Sequence, residues 1–169
     1  MIKLNNKKLT IINIILVFTL SFITHFIYNL IPNKIIACFF PINESIFEHL
    51  KMCFTTYIIT LLIDYFILKI KNKNLIISIY ISALTTIISL IILFPIAYNL
   101  FGENQFLTFT IYFITILLGC IIGYKILNKK DLHLKDLGLI AIIITSIIFA
   151  ILTFYPLNID TYFKDYSSN

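Results

Sequence analysis

Charged side chains are scarce in this sequence. Only 12% of its 169 residues are Asp, Glu, Lys or Arg, whereas 60% are hydrophobic, and the mean hydropathy is +0.98. A water-soluble protein of this size needs more charge on its surface and less apolar material in its core, so that class is excluded. The chain is predicted to be an integral membrane protein.

Arginine is absent, and all 13 basic residues are lysines, which contribute to a formal net charge of +5. A nucleic-acid-binding protein concentrates its basic residues on one face, but these lysines stand in short clusters between apolar runs. We therefore expect membrane lipid, and no nucleic acid, as a partner.

Cysteines are few, and common catalytic motifs are missing. Cys38, Cys53 and Cys120 lie at unrelated spacings, which excludes a disulfide framework and a Cys-x-x-Cys metal or redox site. The sequence also lacks a His-Glu-x-x-His helix and a Gly-x-Ser-x-Gly elbow. No motif therefore identifies a particular reaction.

Five apolar runs are each long enough to cross about 30 Å of hydrocarbon as a helix. They are predicted near residues 9–30, 46–68, 75–97, 106–127 and 137–155. The first run follows lysines, as a secretory signal does, but its full membrane-spanning length favours a retained helix. The expected fold class is all-α, an integral membrane bundle of five transmembrane helices that forms a single domain over residues 1–169.

Every second segment that flanks or connects these spans is rich in lysine. Lysines cluster before span one, after span two and after span four, at Lys3, Lys7, Lys8, Lys69, Lys71, Lys73, Lys125, Lys129, Lys130 and Lys135. Lysine-rich connections stay in the cytoplasm. This pattern predicts a multi-pass protein of the cell membrane whose N-terminus is cytoplasmic and whose C-terminus is extracytoplasmic.

One stretch interrupts the apolar sequence with several polar side chains. Pro41 to Lys51 reads Pro-Ile-Asn-Glu-Ser-Ile-Phe-Glu-His-Leu-Lys and contains Glu44, Glu48 and His49. By helical rise, His25 lies about 7.5 Å below the end of span one, and His49 lies about 6 Å past the start of span two. Since consecutive spans are neighbours, the two imidazoles are expected to meet near the outer surface.

Part of this stretch has a structural interpretation. Ser45-x-x-Glu48 has the spacing of a capping box, and Lys51 can pair with Glu48. That interpretation leaves Glu44 and the two histidines unexplained. Ionisable groups at this depth are costly unless they are paired or functional, so the stretch is also predicted to form a site.

Two features of the spans have less specific interpretations. Asp64 lies near the cytoplasmic edge by helical rise and is predicted to form an interfacial ion pair with Lys69 or Lys71. Gly119 and Gly123 form a Gly-x-x-x-Gly spacing that lets another helix approach closely. That helix belongs either to the same chain or to a second copy in a homo-oligomer.

The segment after the last span is predicted to fold back over the polar stretch. Pro156 stops the last helix near the surface, and Asp160, Phe163 and Asp165 follow on the same side of the membrane as Glu44. Phe163 would bury apolar area there while an aspartate approaches the basic groups.

The polar stretch resembles a motif of a family of small bacterial multi-pass membrane proteins that is classed as a domain of unknown function. His25-Phe-Ile-Tyr28 is similar to the family's His-x-x-Tyr in span one, and Phe154-Tyr155-Pro156 is similar to its Phe-Tyr-Pro after the last span. Phe47 stands where the family usually has Trp. The resemblance covers most of the chain and brings no known activity.

The main functional hypothesis is a metal-dependent hydrolase, embedded in the membrane, that acts on lipid or a lipid-like substrate. Its metal is expected to be zinc, held by His25, His49 and Glu48, with Glu44 as the alternative to Glu48. Its catalytic residues would be Glu44, Glu48 and His49. In a metal-free alternative each imidazole bonds a glutamate. The other functions left open are a proton or cation carrier and a non-enzymatic subunit.

Overall fold

A computed structural model describes residues 4–102 and 104–165, apart from the side chains of residues 160 and 161. Within those ranges it contains helices and no strand, so the all-α prediction is confirmed. The helices are α1 Asn6–Leu30, α2 Lys34–Ala37, α3 Ile46–Leu62, α4 Leu75–Phe101, α5 Gln105–Leu127, α6 Lys135–Phe154 and α7 Asp160–Phe163. A π-helical turn, Ile63–Ile67, continues α3.

The five long helices lie where the apolar runs predict spans. α1, α4, α5, α6 and the continuous segment Ile46–Ile67 are each long and apolar enough to cross a membrane. The largest difference is in α4, which continues through Pro95 and ends four residues beyond the predicted boundary. Gly102, with a φ of 70°, follows it and donates its backbone N–H to Tyr98 O.

Four of the long helices form a closed ring, and the fifth lies outside it. α1 packs against α3, α3 against α4, α4 against α5, and α5 against α1, whereas α6 packs against α4. α1 turns a stripe of residues spaced by three or four inward: Leu9, Asn13, Val17, Ser21 and Thr24. The segment Ile46–Ile67 is the most buried of the five spans, and the polar stretch forms its first turns and the loop before it.

The closest approach in the ring brings α5 against α4. A Cβ added at Gly119 would lie 2.2 Å from Thr86 Oγ1, and one added at Gly123 would lie 2.1 Å from Ser82 Oγ. Both glycines are buried, so α4 covers the surface that they present. The Gly-x-x-x-Gly spacing therefore serves helix packing within the chain.

The lysine-rich segments gather at one end of the bundle, which we call the lysine-rich end. There the side-chain amides of Asn6 and Asn72 both donate to Leu127 O, at 3.1 and 3.0 Å. Lys73 pairs with Asp131 at 2.9 Å. Hydrogen bonds from the His133 backbone N–H and from Lys73 lower the pKa of Asp131. The polar stretch lies at the opposite end.

Candidate metal centre

The polar stretch is organised by the start of α3. Ser45 is the N-cap residue, and its Oγ accepts a hydrogen bond from Glu48 N at 3.3 Å. The return bond of a capping box is not made, because Ser45 N donates to Asn43 Oδ1 at 3.0 Å. Glu48 instead accepts from Ile42 N at 2.9 Å. The capping prediction is therefore half correct, and Glu48 fixes the loop that carries Glu44.

Three ligand-type atoms converge beside this helix start. His25 Nε2 lies 3.3 Å from His49 Nε2. Glu44 Oε2 lies 3.5 Å from His25 Nε2 and 3.4 Å from His49 Nε2. The two histidines therefore meet as their depths predict. We call His25, Glu44 and His49 the triad.

The hydrogen bonds of His49 fix which of its ring nitrogens carries the proton. His49 Nδ1 lies 2.9 Å from Ser45 O, and a carbonyl oxygen only accepts, so Nδ1 is the donor. In the neutral ring Nε2 is then a bare lone pair that points at the triad. A hydrogen bond of this kind to the second nitrogen orients metal-binding histidines.

The triad lacks the protons needed to satisfy its own acceptors. His49 Nε2 and an ionised Glu44 Oε2 are both acceptors, and a neutral His25 can supply one proton at most. His25 Nδ1 is buried and has no hydrogen-bond partner in the described part of the chain. With Glu44 ionised and His49 neutral, two lone pairs face each other at 3.4 Å, and either a metal ion or a proton between the two atoms would satisfy both.

A tetrahedral zinc ion fits these separations. Zinc–ligand bonds of about 2.0–2.2 Å place neighbouring donor atoms about 3.3–3.6 Å apart in a tetrahedron. The three separations in the triad are 3.3, 3.4 and 3.5 Å. Octahedral Mg²⁺ would hold neighbouring donors only about 2.9 Å apart, and Mg²⁺ and Ca²⁺ both prefer oxygen ligands to imidazole.

The triad is open on one side. The exposed fractions of the side chains are 23% for His25, 36% for His49 and 45% for Glu44. Three protein ligands and an accessible fourth position are the arrangement of a catalytic rather than a purely structural zinc site.

Glu48 lies outside the triad, although it was predicted as the carboxylate ligand. Its Oε2 lies 2.6 Å from Lys51 Nζ, and both side chains are at most 3% exposed. Lys51 Nζ also donates to Ala37 O at 2.7 Å and to Thr153 Oγ1 at 2.9 Å. These bonds join α3 to α2 and α6. We call Glu48 and Lys51 the buried ion pair.

The C-terminal segment folds back over the triad end, as predicted. Phe163 of α7 stacks on Phe47, with ring centroids 4.7 Å apart. Asp165 Oδ1 accepts a hydrogen bond from Glu44 N at 3.2 Å. The side chain of Asp160 lies outside the described part of the chain. The segment thus brings a further carboxylate to the backbone of Glu44.

The prediction for Asp64 is wrong. Asp64 is fully buried and accepts a hydrogen bond from Asn13 Nδ2 at 2.8 Å, and no ion pair in the described residues joins it to Lys69 or Lys71. Asp64 follows the buried residues Tyr57, Thr60 and Leu61 at helical spacing, so it lies on the face of the helix that points into the bundle. Helical rise gives the depth of Asp64 but not the face that it occupies.

Comparison with known proteins gives a family and no activity. The whole chain, residues 1–169, matches the family described as a family of unknown function (DUF6512). The chain belongs to DUF6512. No curated protein and no solved structure matches it. Membership of DUF6512 assigns no reaction, so a function has to be argued from the triad itself.

Proposed function

We propose that this DUF6512 protein is a zinc-dependent hydrolase embedded in the membrane, with His25, His49 and Glu44 as the metal ligands. The observation that carries the proposal is the separation of three ligand atoms by 3.3–3.5 Å, which matches neighbouring ligands of a tetrahedral zinc ion. Zinc bound by three protein ligands lowers the pKa of a water in the fourth position to about 7 and so supplies a nucleophile.

The donor set supports a transition metal over the common hard cations. Two imidazoles and one carboxylate suit zinc, and the same set with several open positions suits iron(II). Iron(II) is octahedral in such sites and brings its ligands closer together than zinc does. The tetrahedral separations favour zinc.

The position of the triad supports a lipid substrate. At the same end of the bundle, α2 and the loop after it expose apolar side chains, with Ile35 75% and Phe39 42% exposed, while Lys34 begins the helix. Such a short segment suits the interface between headgroups and acyl chains. The positive-inside rule places the lysine-rich end in the cytoplasm, so the triad would face the outer leaflet of the cell membrane. An ester or phosphoester near a lipid headgroup lies at this depth.

A second carboxylate is needed to accept the proton of the attacking water. With Glu44 as the ligand, the other predicted catalytic carboxylate is Glu48, but Glu48 is paired with Lys51. Asp165 is placed beside Glu44 by the C-terminal segment. In this proposal Asp165 is the proton acceptor, and Glu48 positions the loop that carries Glu44.

Hydrolysis by purified protein tests this function. Wild-type protein loaded with zinc in nanodiscs of phosphatidylglycerol and phosphatidylethanolamine should cleave a chromogenic phosphodiester, a chromogenic carboxylic ester or the phospholipids themselves. His49→Ala should lose both zinc and turnover. Asp165→Asn should keep zinc and lose most of the turnover. Protein with near-stoichiometric zinc that cleaves none of these substrates would overturn the hydrolase.

One further observation favours a non-enzymatic alternative in which the metal is structural. The triad connects α1 to the start of α3, so an ion there would fix two ring helices to one another. In that case a chelator would strongly lower the thermal stability of the protein. Neither the wild-type protein nor any variant would hydrolyse the substrates.

A further inference from the structure

A second polar site lies deep in the bundle, towards the lysine-rich end. It is formed by Asn13 of α1 and Asp64 of the π-helical turn, about 18 Å along α1 from His25 by helical rise. Asn13 Nδ2 donates to Asp64 Oδ2 at 2.8 Å, and both residues are buried. Neither residue takes part in the triad or in the buried ion pair.

Each of these two side chains has one oxygen without a partner. Asn13 Oδ1 and Asp64 Oδ1 are both buried, and the described residues offer neither of them a hydrogen bond. No lysine or histidine in those residues forms an ion pair with Asp64. A buried carboxylate with one hydrogen bond and no counter-charge is strongly disfavoured in a membrane-spanning helix.

We propose that Asn13 and Asp64 form a proton-binding site, in which Asp64 is a neutral carboxylic acid that donates its proton from Oδ1 to Asn13 Oδ1. The amide already donates to the other carboxyl oxygen, so this proton closes a cyclic pair of two hydrogen bonds. One proton thereby removes the buried charge and satisfies both free oxygens.

A metal ion explains the two free oxygens less well. Hard cations take about six oxygen ligands or more, and this site offers two without partners. The serine hydroxyls that line the same cavity as Asn13 do not satisfy these oxygens either, because Ser78 Oγ donates to Gly123 O and Ser82 Oγ donates to Ser78 O. A proton needs one donor and one acceptor, which the pair provides.

A small cavity adjoins the Asn13 side of the pair. It has room for about one water molecule and is lined by Asn13 together with Thr10, Ser78, Ser82, Cys120 and Tyr124. The Cys120 thiol of α5 is a titratable group in this lining, and Tyr57 Oη lies 3.7 Å from its sulfur. The π-helical turn that carries Asp64 is a kind of irregularity often found at functional sites.

Infrared spectroscopy of the full-length protein at neutral pH tests this proposal. Wild-type protein should show the carbonyl band of a buried protonated carboxylic acid, and the band should shift in heavy water. Asp64→Asn should lose the band, and Asp131→Asn should keep it, because Asp131 is a loop carboxylate with a lowered pKa. Asn13→Leu should move the band to higher frequency, because the acid proton loses its acceptor.

Three results would overturn the proton site. The first is a folded wild-type protein without the band at neutral pH. The second is a band that Asp64→Asn leaves intact. The third is a thermal stability of the wild-type protein that rises with sodium chloride but not with choline chloride. If Asp64→Asn abolishes this difference, the site binds a sodium ion rather than a proton. If Asp64→Asn does not fold, Asn13→Leu provides the test instead. A carbonyl band at the wild-type frequency in Asn13→Leu would overturn the proton site.

Discussion

The stretch from Pro41 to Lys51 supplies two polar clusters that differ in how completely they are satisfied. In the buried ion pair, Glu48 and Lys51 carry opposite charges, lie 2.6 Å apart and are at most 3% exposed. In the triad, Glu44 meets two imidazoles, and its side chain is 45% exposed. Both clusters lie at the start of α3. The carboxylate of the buried ion pair has a lysine as its counter-charge, and the carboxylate of the triad has none among the described residues.

This difference separates a structural cluster from a binding site. The Lys51 ammonium has three protons and three oxygen partners, on Glu48, Ala37 and Thr153. The triad has more lone pairs than protons and lies open at the end of the bundle. A cluster whose charges and hydrogen bonds balance needs no ligand, whereas the triad has a carboxylate and two imidazoles that a bound cation would complete.

The largest effect is expected from breaking the buried ion pair. Lys51→Met should lower the free energy of unfolding by about 3–5 kcal/mol, because it leaves the Glu48 carboxylate buried without its counter-charge. Unfolding of the detergent-solubilised protein by a denaturing detergent measures this. The double variant Glu48→Gln/Lys51→Met should recover most of the loss, since it removes both charges.

His25→Ala is the matched comparison for Lys51→Met in the metal-free protein. It removes one member of the half-exposed triad, so its effect on the free energy of unfolding should be smaller, about 1 kcal/mol. If both variants destabilise the metal-free protein equally, the contrast between the two clusters fails.

A smaller effect is expected from the C-terminal segment, which covers the triad end. In a background without native cysteines, Phe47→Cys should react slowly with a membrane-impermeant thiol reagent in intact cells, because Phe163 lies over that position. Removing residues 157–169 should speed the reaction several-fold. Unchanged labelling would show that the segment does not protect the site.

The same cells test the orientation on which the outer-leaflet site depends. Lys73 is 75% exposed at the lysine-rich end, so Lys73→Cys should react only after the cells are made permeable. Labelling of Lys73→Cys in intact cells would place the triad on the cytoplasmic side.

The fold could be predicted from the sequence because a bilayer sets the length of each apolar run. The meeting of His25 and His49 was also predicted, from their equal depth in consecutive helices, although depth does not fix the face that each residue occupies. Contacts between neighbouring spans follow from helix geometry as long as the helices are regular.

The choice between Glu44 and Glu48 was not predictable from the sequence. It depends on the loop before Ser45, where Ile42 N and Lys51 bind Glu48 and leave Glu44 to the histidines. Asp64 was misplaced because its depth was considered without its face, although it follows the buried residues Tyr57, Thr60 and Leu61 at helical spacing. A loop decides the first case, and the face of a helix decides the second.

Zinc binding by two carboxylate variants tests the central claim most directly. Affinity would be measured by competition with a chromophoric chelator, and content by elemental analysis of protein purified without chelator. We predict near-stoichiometric zinc in wild-type protein and in Glu48→Gln/Lys51→Met, and an affinity lower by on the order of 100-fold in Glu44→Gln, which removes a direct ligand. Wild-type affinity in Glu44→Gln, or no near-stoichiometric zinc in the folded wild-type protein, would contradict the account.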